Sequence, residues 1–215
     1  VTPFDRAFGA SRGTPIDRYY IDVFFRRQSA PSGCDPSDIR GRVLEVGDLR
    51  YTHAFGGHQG QSVTTTDVLH VNPQSPAATL IGDLTRPTEL PTEQYDCIIC
   101  TQVLLFIFDV QTAMRSLHQM LRPSGVLLLT VPGIAQICHP DADSWGEYWR
   151  FTGQSVRRLA EEVFAPQNVT VETYGNVLSA AAFLYGAAAE DLKQRELEVH
   201  DPDYEVTIAL RAVKS

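Results

Sequence analysis

Three residues early in the chain have the types and spacing to hold a nucleoside. Glu45 and Gly47 close the segment Gly41-Arg-Val-Leu-Glu-Val-Gly47, and Asp67 follows Gly47 by twenty residues in Val63-Thr-Thr-Thr-Asp67. A short apolar strand ending in Glu-x-Gly lets backbone approach a ligand, since glycine has no Cβ to obstruct it. A carboxylate at the end of a second strand can accept hydrogen bonds from both ribose hydroxyls. The glycine-rich turn that such a strand normally feeds is missing. Residues 48–52 are Asp48, Leu49, Arg50, Tyr51 and Thr52, and glycines return only at Gly56 and Gly57. The loop Asp48–Gly57 must therefore make room for a ligand in another way.

The elements that would position these residues alternate between strand and helix. The spacing of Ile16, Tyr20, Val23 and Phe24 predicts a helix over residues 14–30, with Thr14 as its cap and Pro15 in its first turn. A polar linker, Pro31–Ile39, leads to strands at Val43–Val46 and about Ser62–Thr66. Pro73 and Pro76 break the next stretch too thoroughly for a crossover helix, so a short strand at Ala78–Ile81 is expected to follow directly. Then come a strand at Cys97–Cys100, an amphipathic helix over Asp109–Leu121, and a strand at Val126–Val131. A long loop, Pro132–Phe151, precedes a helix at Gln154–Phe164. Strands at about Val169–Thr173 and Glu205–Val213 flank a last helix within Leu178–Leu192. This order predicts an α/β fold: a Rossmann-like, mostly parallel seven-stranded sheet with an antiparallel C-terminal strand, helices on both faces, in a three-layer sandwich.

Bulk properties narrow the function. A chain of 215 residues with 43% hydrophobic and 20% charged residues suits one globular domain, residues 1–215, with residues 1–38 as an N-terminal helix or lid over a core at 39–215. A net charge of -8 offers no basic excess for duplex nucleic acid, and none is expected as a partner. No apolar run reaches the roughly eighteen residues of a membrane span. Val1–Arg6 lacks the layout of a signal peptide, and a cytoplasmic protein is the expectation. The chain starts without Met, as a trimmed protein or a fragment would. A homodimer is left open. Cys97 and Cys100 have metal-like spacing but lie in a strand, where i and i+3 point to opposite faces, so no metal is expected there.

Five pieces in order resemble the class I S-adenosylmethionine-dependent methyltransferases. They are Val43-Leu-Glu-Val-Gly47, Asp67, Gly82-Asp83-Leu84, Tyr95-Asp-Cys-Ile-Ile-Cys-Thr101-Gln102-Val-Leu104 and Leu121-Arg-Pro-Ser-Gly125-Val-Leu-Leu-Leu129. Glu147-Tyr-Trp-Arg-Phe-Thr152 is similar to a bacterial subgroup, of the methyltransferase type 11 kind, often associated with glycosyltransferases. The resemblance implies S-adenosyl-L-methionine as cofactor and S-adenosyl-L-homocysteine as product. It implies that Glu45 and Gly47 sit by the methionine part, that Asp67 with Val68 holds the ribose, and that Gly82, Asp83 and Leu84 face the adenine. Thr101, Gln102 and Val103 would lie under the cofactor, Asp48 and Tyr51 would be among its contacts, and Arg50 or Tyr51 would reach its carboxylate. Phe106 stands where the family often has a histidine. An oxidoreductase using nicotinamide shares part of this logic but needs the Gly-x-Gly-x-x-Gly that is absent here.

Methyl transfer is an in-line displacement, in which the protein aligns a nucleophile with the methyl group and excludes water. A hydroxyl acceptor also benefits from a general base. His139 is the expected base, because imidazole titrates near working pH, with Tyr19 as a second catalytic candidate. Arg18, Tyr20, Asp141, Tyr148, Trp149 and Arg150 are the acceptor-binding candidates. His139, Asp141 and Asp143 lie close in sequence, but no second histidine is in register and no metal is expected. The reading is a small-molecule methyltransferase, O-directed, acting on a sugar, glycolipid or secondary metabolite. The alternative is a non-catalytic domain of the same fold with a scaffold or partner-binding role.

Overall fold

The computed structural model describes residues 2–29, 38–57 and 63–215. Most of the expected linker, with Cys34, and the expected start of the second strand at Ser62 lie outside them.

Seven strands form one sheet: β1 (Gly41–Val46), β2 (Val63–His70), β3 (Leu80–Ile81), β4 (Tyr95–Thr101), β5 (Leu121–Pro132), β6 (Val169–Tyr174) and β7 (Thr207–Val213). Their order is β3-β2-β1-β4-β5-β7-β6. Neighbouring strands from β3 to β5 pair in parallel, and β7 runs antiparallel between β5 and β6. The direction of winding reverses between β1 and β4, which opens a crevice at the carboxyl ends of those two strands. The expected α/β sandwich, with its antiparallel last strand, is what the chain forms.

Alternation along the strands sorts side chains into two cores. Leu44, Ile98, Cys100, Leu127, Leu129 and Leu210 face one layer, packed with α3 (Val110–Met120) and α5 (Gly153–Glu161). Val43, Cys97, Ile99, Leu128 and Ala209 face the other, with α1 (Ile16–Ser29) and α6 (Val177–Leu184). Cys97 and Cys100 are thus buried free thiols on opposite faces, as their strand spacing requires. Asp109 caps α3 through Thr112 N, and Thr152 caps α5 through Ser155 N. Each such cap is worth about 1 kcal/mol.

Residues 71–79 join β2 to β3 through turns without a helix, as the two prolines require. Several expected bounds change: β5 begins at Leu121, five residues before Val126, and two others bear on the rest of the molecule. β2 runs on to His70, four residues past Thr66, because Val68 and Leu69 are buried and belong to the ladder. Thr14 does not cap α1. Its amide and hydroxyl both donate to Glu190, and Pro15 bridges Ala188, so the chain before α1 is fastened to the segment after α6. The loop Pro132–Phe151 also contains a short helix, α4 (His139–Trp145).

Candidate active site

Gly47 ends β1 with φ +101°, a conformation that favours glycine, and a Cβ built on it would meet nothing within 4 Å. That open space belongs to a cleft of about 440 Å³ along the carboxyl ends of four strands. Val46 and Gly47 come from β1, Leu69 to Val71 from β2, Gly82 to Thr85 from the turn after β3, and Gln102 and Val103 from the turn after β4. Phe106 to Phe108 form one rim. Asp141 and Trp145, one turn apart on α4, form the other with Tyr148. The volume falls within the 300–1,000 Å³ typical of small-molecule sites.

The polar groups of this cleft are few and specific. Asp83 Oδ1 accepts from Thr85 N and Thr85 Oγ1, both at 2.8 Å, so the carboxylate is pinned and its second oxygen faces a weak contact, 3.9 Å from Arg86. His70 Nδ1 accepts from Asn72 N at 2.9 Å, so the ring carries its proton on Nε2, and the edge of the ring packs on Trp145. Gln102 holds a positive φ of +53° through Gln102 N donating to Thr130 O at 2.8 Å. Its Nε2 is buried without an acceptor among the described residues. Backbone strain and an unpaired buried donor in one residue are the marks of a ligand-facing position.

A second cavity, of about 280 Å³, shares Gln102, Phe106 and Asp141 with the first. Its remaining walls come from the N-terminal segment, with Phe8, Asp17 and Arg18, and from the loop after β5, with Gln136, Glu147 and Arg150. Arg150 is committed to that loop. It pairs with Glu147 and donates to the carbonyls of Ala135, Gln136 and Trp149. Cys138 Sγ donates to Asp141 Oδ2 at 2.9 Å, and burial together with that carboxylate pushes the thiol up to about 11.

Several expected site residues stand elsewhere. Asp67 pairs with Leu44 in mid-sheet, three residues short of the end of β2, about 10 Å along the strand. It accepts from both Arg42 Nε and Arg42 Nη2, from Thr79 Oγ1 and from Tyr95 OH, and lines neither cavity. Burial raises its pKa, but those donors outweigh it and hold the carboxyl below the ordinary range. The strand-end position belongs to His70, which the spacing rule missed. Val68 is buried in the ladder, where Val68 N donates to Thr79 Oγ1, and Thr101 ends β4 without lining either cavity.

Glu45 is also spent on structure. Buried at 1% exposure, it accepts from Tyr51 N, Thr52 N and Thr52 Oγ1, and so fills the first turn of α2 (Arg50–Phe55). Burial raises its pKa even against those donors. This is how the chain does without the missing glycines: three residues after Gly47 a helix begins whose amides are satisfied by Glu45. Tyr51 is buried, stacked 4.6 Å from Phe25, with its hydroxyl taking Arg18 Nη1. Asp48 is exposed and accepts from Arg50 N.

His139 is exposed at the start of α4 and lines neither cavity, which removes the geometric basis for a base. Tyr19 and Tyr20 line a separate hollow of about 630 Å³ beside β6, which shares no residue with the cleft. Tyr20 OH is used by Leu197 O. Trp149 packs on Phe108 and donates Nε1 to Ile107 O, a packing role. Of the acceptor candidates, Arg18, Asp141 and Arg150 line the second cavity, and Asp141 and Tyr148 the first.

A sequence model described as "Methyltransferase domain" matches residues 14–180, and the chain belongs to that family. Within it the motifs place the chain in the S-adenosylmethionine-dependent class I group. Among curated proteins none matches. Solved structures share the fold at low identity. Phosphoethanolamine N-methyltransferase 2 of Haemonchus contortus, in complex with phosphomonomethylethanolamine and S-adenosylhomocysteine, has a TM-score of 0.53 at 13% identity over 91% of this chain and 52% of its own. The chain thus spans about half the length of that enzyme. The N-methyltransferase NodS of Bradyrhizobium japonicum WM9, in complex with S-adenosylhomocysteine, scores 0.53 at 16% identity over 94% and 89%. An S-adenosylmethionine-dependent methyltransferase of Mesorhizobium loti scores 0.56 at 15% identity over 93% and 98%.

Proposed function

We propose that this protein transfers a methyl group from S-adenosylmethionine to a hydroxyl of a small molecule, with a sugar, glycolipid or secondary metabolite as the acceptor class. The observation that carries this reading is the pair of adjoining cavities that meet at Gln102, Phe106 and Asp141. A cofactor in the strand-end cleft and an acceptor in the second cavity would face each other across that boundary.

The cleft's own residues fit the cofactor. The space in front of Gly47 receives the methionine part, and the free oxygen of Asp83 can accept from the adenine amine. His70 Nε2–H takes over at the ribose, where a donor replaces the usual carboxylate. When bound, the cofactor supplies an electrophilic methyl on a sulfonium. The protein's contribution is alignment and exclusion of water by the rim of Phe106, Ile107, Trp145 and Tyr148. The second cavity has room for one ring-sized group, so a larger acceptor would enter by one end only.

The nitrogen-directed enzymes among the structural neighbours leave the atom methylated by this chain to its own walls, and these combine donors and acceptors as a hydroxyl requires. Isothermal calorimetry with adenosylhomocysteine tests the cofactor reading. Micromolar binding in wild type is expected, with at least a tenfold loss on Asp83→Ala, the size of one charge-assisted hydrogen bond of about 1.5–3 kcal/mol. No heat at millimolar adenosylhomocysteine would end the reading.

A further inference from the structure

One carboxylate in the second cavity has hydrogen-bonding capacity that the protein leaves unused. Among the described residues nothing donates a hydrogen bond to the buried Asp17 Oδ1, and Asp17 Oδ2 lies 3.9 Å from Arg18 Nε. The side chain is 18% exposed. Its backbone is fixed on both sides. Ile16 is fully buried, and the Arg12–Asp191 pair and the Thr14–Glu190 bonds tie down the segment before it. Arg18 is held by Tyr51 OH.

The same cavity is lined by Gln102, whose Nε2 is a buried donor without an acceptor. The walls therefore present a buried donor without an acceptor, Gln102 Nε2, and two buried carboxylate oxygens without a hydrogen bond, of which Glu147 Oε1 is ion-paired with Arg150 and Asp17 Oδ1 is not. A protonated amine fills only Asp17 Oδ1, and a carboxylate or phosphate only Gln102 Nε2. A neutral hydroxyl fills both, by donating its proton to Asp17 and accepting from Gln102; a neutral amine has the same pair of functions, and a probe carrying both nucleophiles separates the two. The charged groups facing Asp17 are Arg18 on its own helix and Arg50 on α2. Across the cavity Glu147 and Arg150 neutralise each other, and Asp141, an exposed carboxylate, accepts from Cys138 at Oδ2.

We propose that Asp17 is the catalytic proton acceptor for a substrate hydroxyl seated between Asp17 and Gln102, an inference that rests on the methyl-transfer reading above. The O–C bond forms from a hydroxyl lone pair while the C–S bond of the sulfonium breaks, its electron pair remaining on sulfur. The hydroxyl proton passes to the Asp17 carboxylate. The products are a methyl ether, adenosylhomocysteine and a neutral Asp17 that returns its proton to water. Burial, which keeps the carboxyl above its ordinary pKa against the pull of Arg18 and Arg50, makes it a better base than an exposed aspartate.

The test compares wild type with Asp17→Asn and Asp17→Glu, using S-adenosylmethionine and four probes: methyl glucoside, myo-inositol, catechol and ethanolamine. Ethanolamine carries both nucleophiles. The expected result is O-methylation of a hydroxyl probe, reduced about 10²–10⁴-fold in Asp17→Asn and partly restored in Asp17→Glu. The acidic limb of the wild-type rate profile should be absent from Asp17→Asn. Its adenosylhomocysteine affinity, read by calorimetry, should stay within twofold of wild type, which also shows that the variant is folded. If wild type fails to bind adenosylhomocysteine, the methyl-transfer reading falls first. If it binds, three results overturn the role of Asp17: transfer to nitrogen, no transfer to any hydroxyl probe, or an Asp17→Asn rate within tenfold of wild type.

Discussion

Two regions of the molecule hold buried or half-buried carboxylates, and they treat them in opposite ways. At the β1–β2 side, Glu45 takes three donors and Asp67 takes donors from Arg42, Thr79 and Tyr95. Their lone pairs are largely filled by the protein itself. At the start of α1, Asp17 keeps one oxygen unfilled against a cavity. Glu45 and Asp67 have the motif spacing, and Asp17 has the unused chemistry. A group becomes available to a ligand through the hydrogen bonds its own chain leaves unmade.

The largest effect expected from this contrast is on stability. Glu45→Ala removes the acceptor for two amides and a hydroxyl at residues 51 and 52, both nearly inaccessible. Each buried donor left unpaired costs about 1–3 kcal/mol, so a loss of about 3 kcal/mol is expected in urea unfolding. A loss below about 1 kcal/mol would return Glu45 to the ligand groups and weaken the distinction between the two regions.

What the sequence shows of this arrangement depends on how local the cause is. Val43–Val46, Glu45 apart, and Cys97–Cys100 are apolar because both faces of a parallel sheet are covered, and that pattern can be read residue by residue. Gly47, Gly82, Asp83 and Gln102 follow from it, since a ligand crevice lies where such strands end. β2 is harder to bound. Thr64 and Thr65 are exposed, and the polar Thr-Thr-Thr-Asp run looks like a strand ending, yet Val68 and Leu69 carry the ladder on to His70. The Arg42–Asp67 pairing across the two strands shows why a carboxylate stands there. Asp17 could not be read from its surroundings in sequence. Its cavity exists only where residues near 17, 102, 136 and 147 converge, and such convergence has no local periodicity.

A smaller effect separates Asp67 from the cofactor. Asp67→Ala should cost about 1–2 kcal/mol of stability, held low because Arg42 is 35% exposed and water screens the pair. Adenosylhomocysteine affinity should stay within twofold of wild type by calorimetry. A tenfold loss without unfolding would mean that β2 presents Asp67 to the ribose after all, and that His70 does not.

The finest separation is in the sign of a pH dependence. The folded-state pKa of Asp67 is depressed, chiefly by Arg42 and Thr79 acting against burial, so its contribution is present above the unfolded carboxylate value of about 3.9 and is lost as pH falls through the folded value. Asp17 is raised by burial, so the reverse holds. Below about pH 3.9 both states of Asp17 are protonated and it costs nothing as a charge. As pH climbs through the raised folded value, ionisation is penalised in the folded state alone and stability falls. Asp17→Asn should therefore be more stable than wild type by about 1 kcal/mol at pH 8, the low end for an unsatisfied buried group, with the gain fading toward acid pH. Asp67→Asn should be less stable than wild type at pH 8, with its loss fading toward acid pH. Urea unfolding of the three proteins across that range reads both differences against the same background of other titrating groups. Parallel slopes would show that the two carboxylates are held alike. Opposite slopes would show that the fold keeps Asp17 charged at a cost in stability, as a base must be kept, while Asp67 is charged to the fold's benefit.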